Sequence, residues 1–89
     1  MAELHLADSA MEPVINRIKR ARGQLDGVLR MLEDGRDCGD IVTQLAAVSK
    51  AIDRAGFTLI AAGLEECIIA GEGQEEARER LQKMFMSLA

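Results

Sequence analysis

Apolar residues recur every three or four positions along most of the chain, a spacing typical of α-helices. The first series predicts a helix over about residues 10–34, and these positions form its apolar stripe: Val14, Ile15, Ile18, Ala21, Leu25, Val28, Leu29 and Leu32. Ser9 with Glu12 three residues later predicts a capping box at its start, and Gly35 predicts its end. We expect residues 1–8 to form a disordered tail.

A second apolar series follows two acidic residues. Asp37 and Asp40 stand at the expected N-cap and third position of a helix, where exposed backbone amides favour negative charge. The series then continues to residue 70 without a stop signal, through these positions: Ile41, Leu45, Val48, Ile52, Ala55, Leu59 and Cys67. It predicts one long helix over 38–70. Gly56 and Gly63 lie inside it, each at a cost of about 1 kcal/mol relative to Ala, so we expect close packing or a bend there.

A third, shorter helix is predicted over about residues 74–88. Its acidic residues precede its basic ones, which suits the helix dipole, and its apolar positions share one face: Ala77, Leu81, Met84 and Leu88. The chain has two Phe and neither Trp nor Tyr, a composition that suits helix packing better than a sheet. We therefore predict an all-α fold in which residues 9–89 form a single domain. Because 89 residues bury little surface, we also expect the chain to oligomerise.

The charged residues are segregated along the sequence. A net charge of −4 argues against nucleic-acid binding, which needs a local excess of cations. However, four of the eleven basic residues fall within six positions of the first helix, and they are Arg17, Lys19, Arg20 and Arg22. The charge pattern alone favours an ordinary solvated face over a binding surface.

Several classes of protein find no support in the sequence. The longest nearly apolar run, residues 55–64, is far shorter than the ~20 residues that span a bilayer. Residues 1–8 lack the features of a signal peptide, so we expect a cytoplasmic protein. His5, the one histidine, lies in the predicted tail; its role stays open, and we do not expect it to bind a metal. Without a catalytic triad or a phosphate-binding loop, the chain is predicted not to be an enzyme.

Cys38 and Cys67 are the two cysteines, and the predicted long helix carries both. A spacing of 29 residues puts them about 44 Å apart along the helix axis, so they cannot meet within one chain. The same spacing leaves them within about 20° of one another around the helix. If two such helices pack antiparallel about a two-fold axis, Cys38 of one chain comes opposite Cys67 of the other. Alternatively, both are small buried hydrophobic residues.

Spaced blocks over about residues 12–70 resemble the copper-sensitive operon repressor family. They are residues 15–24 (INRIKRARGQ), 27, 30–31, 36–41 (RDCGDI) and 43–48 (TQLAAV). The resemblance implies a three-helix subunit, an antiparallel four-helix-bundle dimer, and a tetramer of two dimers that binds operator DNA. It also implies that a basic surface contacts the DNA: Arg17, Lys19, Arg20, Arg22, Lys50 and Arg54. The role of Gln24 stays open.

The resemblance also implies a sensing site shared between subunits. Copper-sensing members combine a cysteine at the start of helix two with a His-x-x-x-Cys pair of the partner. Cys38 and Cys67 match the two cysteines, but Gly63 occupies the histidine position, so the third ligand is missing.

This departure is similar to the persulfide-sensing branch, the sulfurtransferase repressors, which keep both cysteines and lack the histidine. It implies a repressor without a cofactor, released from its operator by reactive sulfur species through a disulfide or polysulfide between Cys38 and the partner's Cys67. The alternative is a Cu(I)-responsive repressor that holds the ion linearly between two thiolates, or another metal-sensing member of the family.

Overall fold

The computed structural model describes residues 4–89 and forms three α-helices, α1 (Asp8–Glu33), α2 (Cys38–Ala70) and α3 (Glu75–Leu88). No strand occurs among these described residues. The prediction of an all-α, three-helix subunit is confirmed, and the helix ends lie within about two residues of those predicted, as expected for terminal turns.

The start of α1 differs from the sequence prediction. Ala7 is the N-cap and makes no side-chain cap hydrogen bond, and Ser9 lies inside the first turn, so the predicted capping box is wrong. Asp8 in that first turn instead supplies negative charge beside the exposed amides. Of the predicted tail, residues 1–3 lie outside the described residues, whereas 4–7 form no helix and include the half-buried Leu4 and Leu6.

The connection between α1 and α2 follows the predicted end and start signals. Gly35 adopts a φ of 67°, a left-handed conformation that favours glycine, and its N–H donates to the Leu32 carbonyl over 3.2 Å. Across the following residues, the side-chain Oδ2 of Asp37 accepts a 3.2 Å hydrogen bond from the Asp40 N–H, so the predicted N-cap is confirmed. These features reverse the chain within four residues, 34–37, and make α1 and α2 an antiparallel hairpin.

Small and branched side chains seven residues apart form the contact between α1 and α2. Val28 packs with Ile41 and Val48, and half-buried Met31 covers this cluster. Ala55 extends the buried row on α2 by another seven residues. A seven-residue repeat keeps one face of each helix turned toward the other along the hairpin.

Two glycines of α2 let α3 approach closely. A Cβ added at Gly56 would lie 2.9 Å from Leu88 Cδ1, and one added at Gly63 would lie 3.0 Å from Leu81 Cδ1. The expectation of close packing at both glycines is therefore confirmed. Because the later glycine meets the earlier leucine, α3 runs antiparallel to α2.

A single chain leaves much of its apolar surface uncovered. On α1 the exposed large apolar residues follow three-, four- and seven-residue steps: Met11, Ile15, Ile18, Leu25, Leu29 and Leu32. On α2 they include Val42, Leu45, Ile52 and Leu59. The radius of gyration is 16.7 Å, compared with about 12 Å for a compact chain of this length. The predicted stripe of α1 thus splits into a face against α2 and a second face without a partner in one chain.

Within residues 4–89, no helix combines the length and the apolar character needed to cross a membrane.

Replacing Asp37 with Ala removes the cap of α2, and we expect the free energy of unfolding to fall by about 1 kcal/mol. Urea denaturation followed by circular dichroism, at one fixed chain concentration, measures this change. Asp34→Ala is the matched control, because it removes the same carboxylate three residues earlier, where that carboxylate caps neither helix. Equal effects of the two substitutions would contradict a capping role for Asp37.

Candidate functional site

The two cysteines stand at opposite ends of one unbroken helix. Cys38 is the first residue of α2 and is exposed, whereas Cys67 lies one turn before its end and is only 4% exposed. Both thiols are free. The predicted separation of about 44 Å follows from a continuous helix between them, so the two thiols cannot meet in one chain.

The face of α2 that carries the cysteines is open at one end and covered at the other. Helical geometry places Gly56 and Gly63 within about 20° of Cys38 around the axis. Near Cys38 this face is open, since Val42 is 57% exposed. At the glycines α3 lies against it, and Cys67, on the same face, is buried. A reactant or a partner chain therefore reaches the Cys38 end more easily than the Cys67 end.

Residue 63, where the family resemblance places a third ligand in copper-sensing members, faces hydrocarbon. Gly63 lies one helical turn before Cys67, and a Cβ built there would meet Leu81 Cδ1 at 3.0 Å and Leu4 Cδ2 at 3.2 Å. A cavity of about 230 Å³ adjoins it, and Arg80 is the one charged residue among these lining residues: Leu4, Leu6, Leu59, Gly63, Ala77, Arg80, Leu81 and Met84. Residue 63 thus has no donor, and a side chain added there would first meet leucine methyl groups.

Within one chain, residues 4–89 contain no group of three His, Cys, Asp or Glu side chains placed to hold a metal ion. The chemistry available at the cysteines is that of soft thiol sulfur alone. Two thiolates suit a Cu(I) ion in linear coordination, and they are also able to form a covalent bridge. Within one chain the length of α2 keeps Cys38 and Cys67 too far apart for either outcome.

A basic groove runs between α1 and α2, lined by Arg17, Arg20, Gln24, Ala47, Lys50, Ala51 and Arg54. It has a volume of about 300 Å³, and no carboxylate is among these described lining residues. The antiparallel hairpin creates it, because Arg17 and Arg20 come opposite Arg54 and Lys50. Four cations in one groove suit a phosphate backbone.

The groove brings together four of the six basic residues predicted for DNA contact. Lys19 and Arg22 are exposed on α1 but do not line it. Gln24, whose role the sequence left open, lies in the groove with the two alanines. The sequence carried one signal for this groove, the four-residue spacing of Ala47 and Ala51. Small side chains one turn apart on a helix leave an open space beside the basic residues Lys50 and Arg54.

Comparisons with known proteins all point to one kind of regulator. The family model described as "Metal-sensitive transcriptional repressor" matches residues 10–88. The copper-sensing transcriptional repressor CsoR of Mycobacterium ulcerans is 42% identical over 64 residues, which cover 67% of this chain and 55% of that protein. The chain thus spans just over half the length of this relative. The Bacillus subtilis protein of the same description is 30% identical over 86% of this chain and 80% of its own length.

A solved structure supports the same comparison. The crystal structure of the copper-sensing repressor CsoR with Cu(I) from Geobacillus thermodenitrificans matches with a TM-score of 0.70 and 29% identity. The match covers 96% of this chain and 92% of that chain.

The unequal burial of the thiols predicts unequal alkylation. In the reduced, folded protein we expect iodoacetamide to modify Cys38 roughly tenfold or more faster than Cys67, because Cys67 must first be uncovered by local opening. Peptide mass spectrometry over a time course measures both rates, and labelling in urea is the control in which the rates should converge. Equal rates in the folded protein would show that Cys67 is not buried in solution.

Proposed function

Because this chain belongs to the family of metal-sensitive transcriptional repressors, we propose that it binds operator DNA and leaves it when an inducer joins Cys38 of one subunit to Cys67 of its partner. The observation that carries this proposal is the position of the two thiols, at opposite ends of one face of α2. The family and the relatives are transcriptional repressors, in agreement with the prediction that the chain is not an enzyme.

The exposed apolar face of α1 supports an assembly of several chains. Ile18, Leu25 and Leu32 are 44–55% exposed at intervals of seven residues, the repeat that packs one helix against another. We infer that two α1–α2 hairpins bury these faces in an antiparallel four-helix bundle, and that two dimers form a tetramer. Two-fold symmetry then creates two equivalent sites per dimer, each with Cys38 of one chain and Cys67 of the other.

The inducer that the comparisons support best is Cu(I). The sequence favoured reactive sulfur and no cofactor, with Cu(I) as the alternative, but the relatives are copper-sensing repressors and the related structure contains Cu(I). Cys38 and Cys67 fit this ion, since thiolates are the soft ligands it prefers. In a reducing cytoplasm both thiols stay available to it.

Joining the two thiols releases DNA by stabilising one of two states of the assembly. An inducer that binds only where the partner thiols lie close stabilises that arrangement over the one that fits DNA. Its differential affinity for the two states sets how strongly operator binding falls. Helix α2 carries both cysteines and also two of the four groove cations, Lys50 and Arg54, so a change in how two α2 helices pack reaches both sites.

Reactive sulfur is the second candidate inducer, and the apolar filling at Gly63 favours it. The thiolate of one cysteine attacks the sulfane sulfur of a low-molecular-weight persulfide, gains that sulfur and releases the small thiol. The thiolate of the other cysteine then attacks the first cysteine's own sulfur, which forms a disulfide and expels hydrosulfide. A bridge that retains sulfane sulfur is a polysulfide. The persulfide is the oxidant, and no third ligand is needed.

A binding assay on the DNA upstream of the protein's own gene separates the two inducers. We expect one Cu(I) per chain, added without oxygen, to release the reduced protein from DNA without a covalent dimer, and a Cu(I) chelator to restore binding. Release by a persulfide, accompanied by a dimer mass that a thiol reductant reverses, would identify reactive sulfur instead. Cys38→Ser and Cys67→Ser proteins should still bind DNA and ignore the inducer. A full response from both serine variants would refute the thiol-pair site.

The basic groove predicts which cations matter for DNA affinity. Arg17→Ala/Arg54→Ala removes two groove cations, and we expect at least about a tenfold loss of affinity and a salt dependence shallower by roughly two counterions. Lys19→Ala/Arg22→Ala makes the same change in net charge outside the groove and should lose less. Fluorescence anisotropy at several salt concentrations measures both quantities. Equal losses would mean that net charge, and not the groove, governs binding.

A further inference from the structure

The contact between residue 63 and α3 has a consequence for the ligands that the thiol site can accept. The direction in which a side chain would leave Gly63 is occupied by Leu81 Cδ1 at 3.0 Å and Cδ2 at 3.3 Å, and by Leu4 Cδ2 at 3.2 Å. Residue 63 precedes buried Cys67 by one turn on the same face of α2. The same two leucines also line the apolar cavity beside it.

We propose that Leu81, assisted by Leu4, is a specificity-determining residue that keeps the sensing site restricted to two thiols. It forms an apolar plug that excludes a third donor from the neighbourhood of Cys67. This inference rests on the proposed function, because it assumes that Cys67 binds the inducer.

Leu81 is held more firmly than Leu4. Leu4 belongs to residues 4–7, which form no helix. Leu81 lies on α3, which two further contacts fasten to α2. One is the close approach of Leu88 to Gly56, and the other is the edge-to-face pair of Phe57 and Phe85, whose ring centroids are 5.3 Å apart. A side chain introduced at Gly63 must therefore push aside the Leu81 side chain, whose backbone is fixed by these contacts.

The plug determines which chemistry the site accepts. Cu(I) is stable with two thiolates, and a sulfane-sulfur bridge needs only two thiols. Zn(II) in protein sites takes four ligands, and Co(II) and Ni(II) also require more donors than two thiolates supply. The site thus disfavours these divalent ions for two reasons. Residue 63 supplies no ligand, and leucine side chains occupy the direction from which one would come.

Histidine substitution with and without the plug tests the proposal. The proteins compared are the wild type, Gly63→His, Leu81→Ala and Gly63→His/Leu81→Ala, each loaded with one Cu(I) per chain. X-ray absorption counts sulfur and nitrogen ligands, and thermal unfolding of the metal-free proteins reports the packing. We expect two sulfur ligands in the first three proteins, with a lower melting temperature for Gly63→His. The double variant should gain one nitrogen ligand and recover part of that stability.

Gly56→His/Leu88→Ala is the matched control, because it makes the same change at the equivalent contact seven residues earlier. It should lose stability and gain no nitrogen ligand. A nitrogen ligand in Gly63→His alone, without a loss of melting temperature, would overturn the proposal, as would its absence from a folded double variant.

Two further outcomes separate this inference from the proposed function. If the wild type takes up no Cu(I), the proposed copper response fails. The melting temperatures of the metal-free proteins then test whether Leu81 blocks residue 63. In that case Gly63→Ala, which adds only the Cβ, should lower the melting temperature less in the Leu81→Ala background than in the wild type. Equal shifts in the two backgrounds would mean that residues 63 and 81 are not coupled, and the plug would be refuted.

Discussion

The uninterrupted length of α2 is the constraint on which the rest of the structure depends. A single 33-residue helix holds Cys38 and Cys67 rigidly apart at its two ends, so their chemistry can be joined only across an interface between chains. Asp37, which caps the first turn, and the absence of any stop before Gly71 maintain that length. In the proposed function this helix connects folding, assembly and sensing, because each thiol would find its partner on a second chain.

The small core of one chain also favours association with a second chain. Helix α1 buries Ala21 and Val28 against α2 but leaves a longer apolar row exposed. At about 25 cal/mol per Å² of apolar surface removed from water, a row of this kind is a substantial driving force for association. Association about a two-fold axis would cover these faces and bring the thiol ends of two α2 helices together. Stability and the sensing site would then have the same origin.

Local signals predicted most of the fold, and tertiary packing decided what the sequence could not reveal. The helical period, Gly35 and Asp37 act within a few residues, so they predicted all three helices and the α1–α2 turn correctly. Ser9 failed as an N-cap because the helix begins about two residues earlier than predicted, at Asp8. The 29-residue spacing of the cysteines was sufficient to exclude a site within one chain. The groove around Gln24 required the register of α1 against α2, which no single segment encodes.

The environment of Gly63 shows most clearly where sequence reasoning stops. From the sequence, glycine at this position means only that a ligand is missing, and a return to histidine would be expected to restore it. In the folded chain the same glycine allows α3 to pack against α2, and Leu81 fills the space that a ligand would need. Because the Leu81 side chain and the first atom of any side chain at residue 63 compete for one volume, Leu81 must move before residue 63 can carry a donor. The effect of restoring a donor there is therefore expected to depend on the residue at position 81.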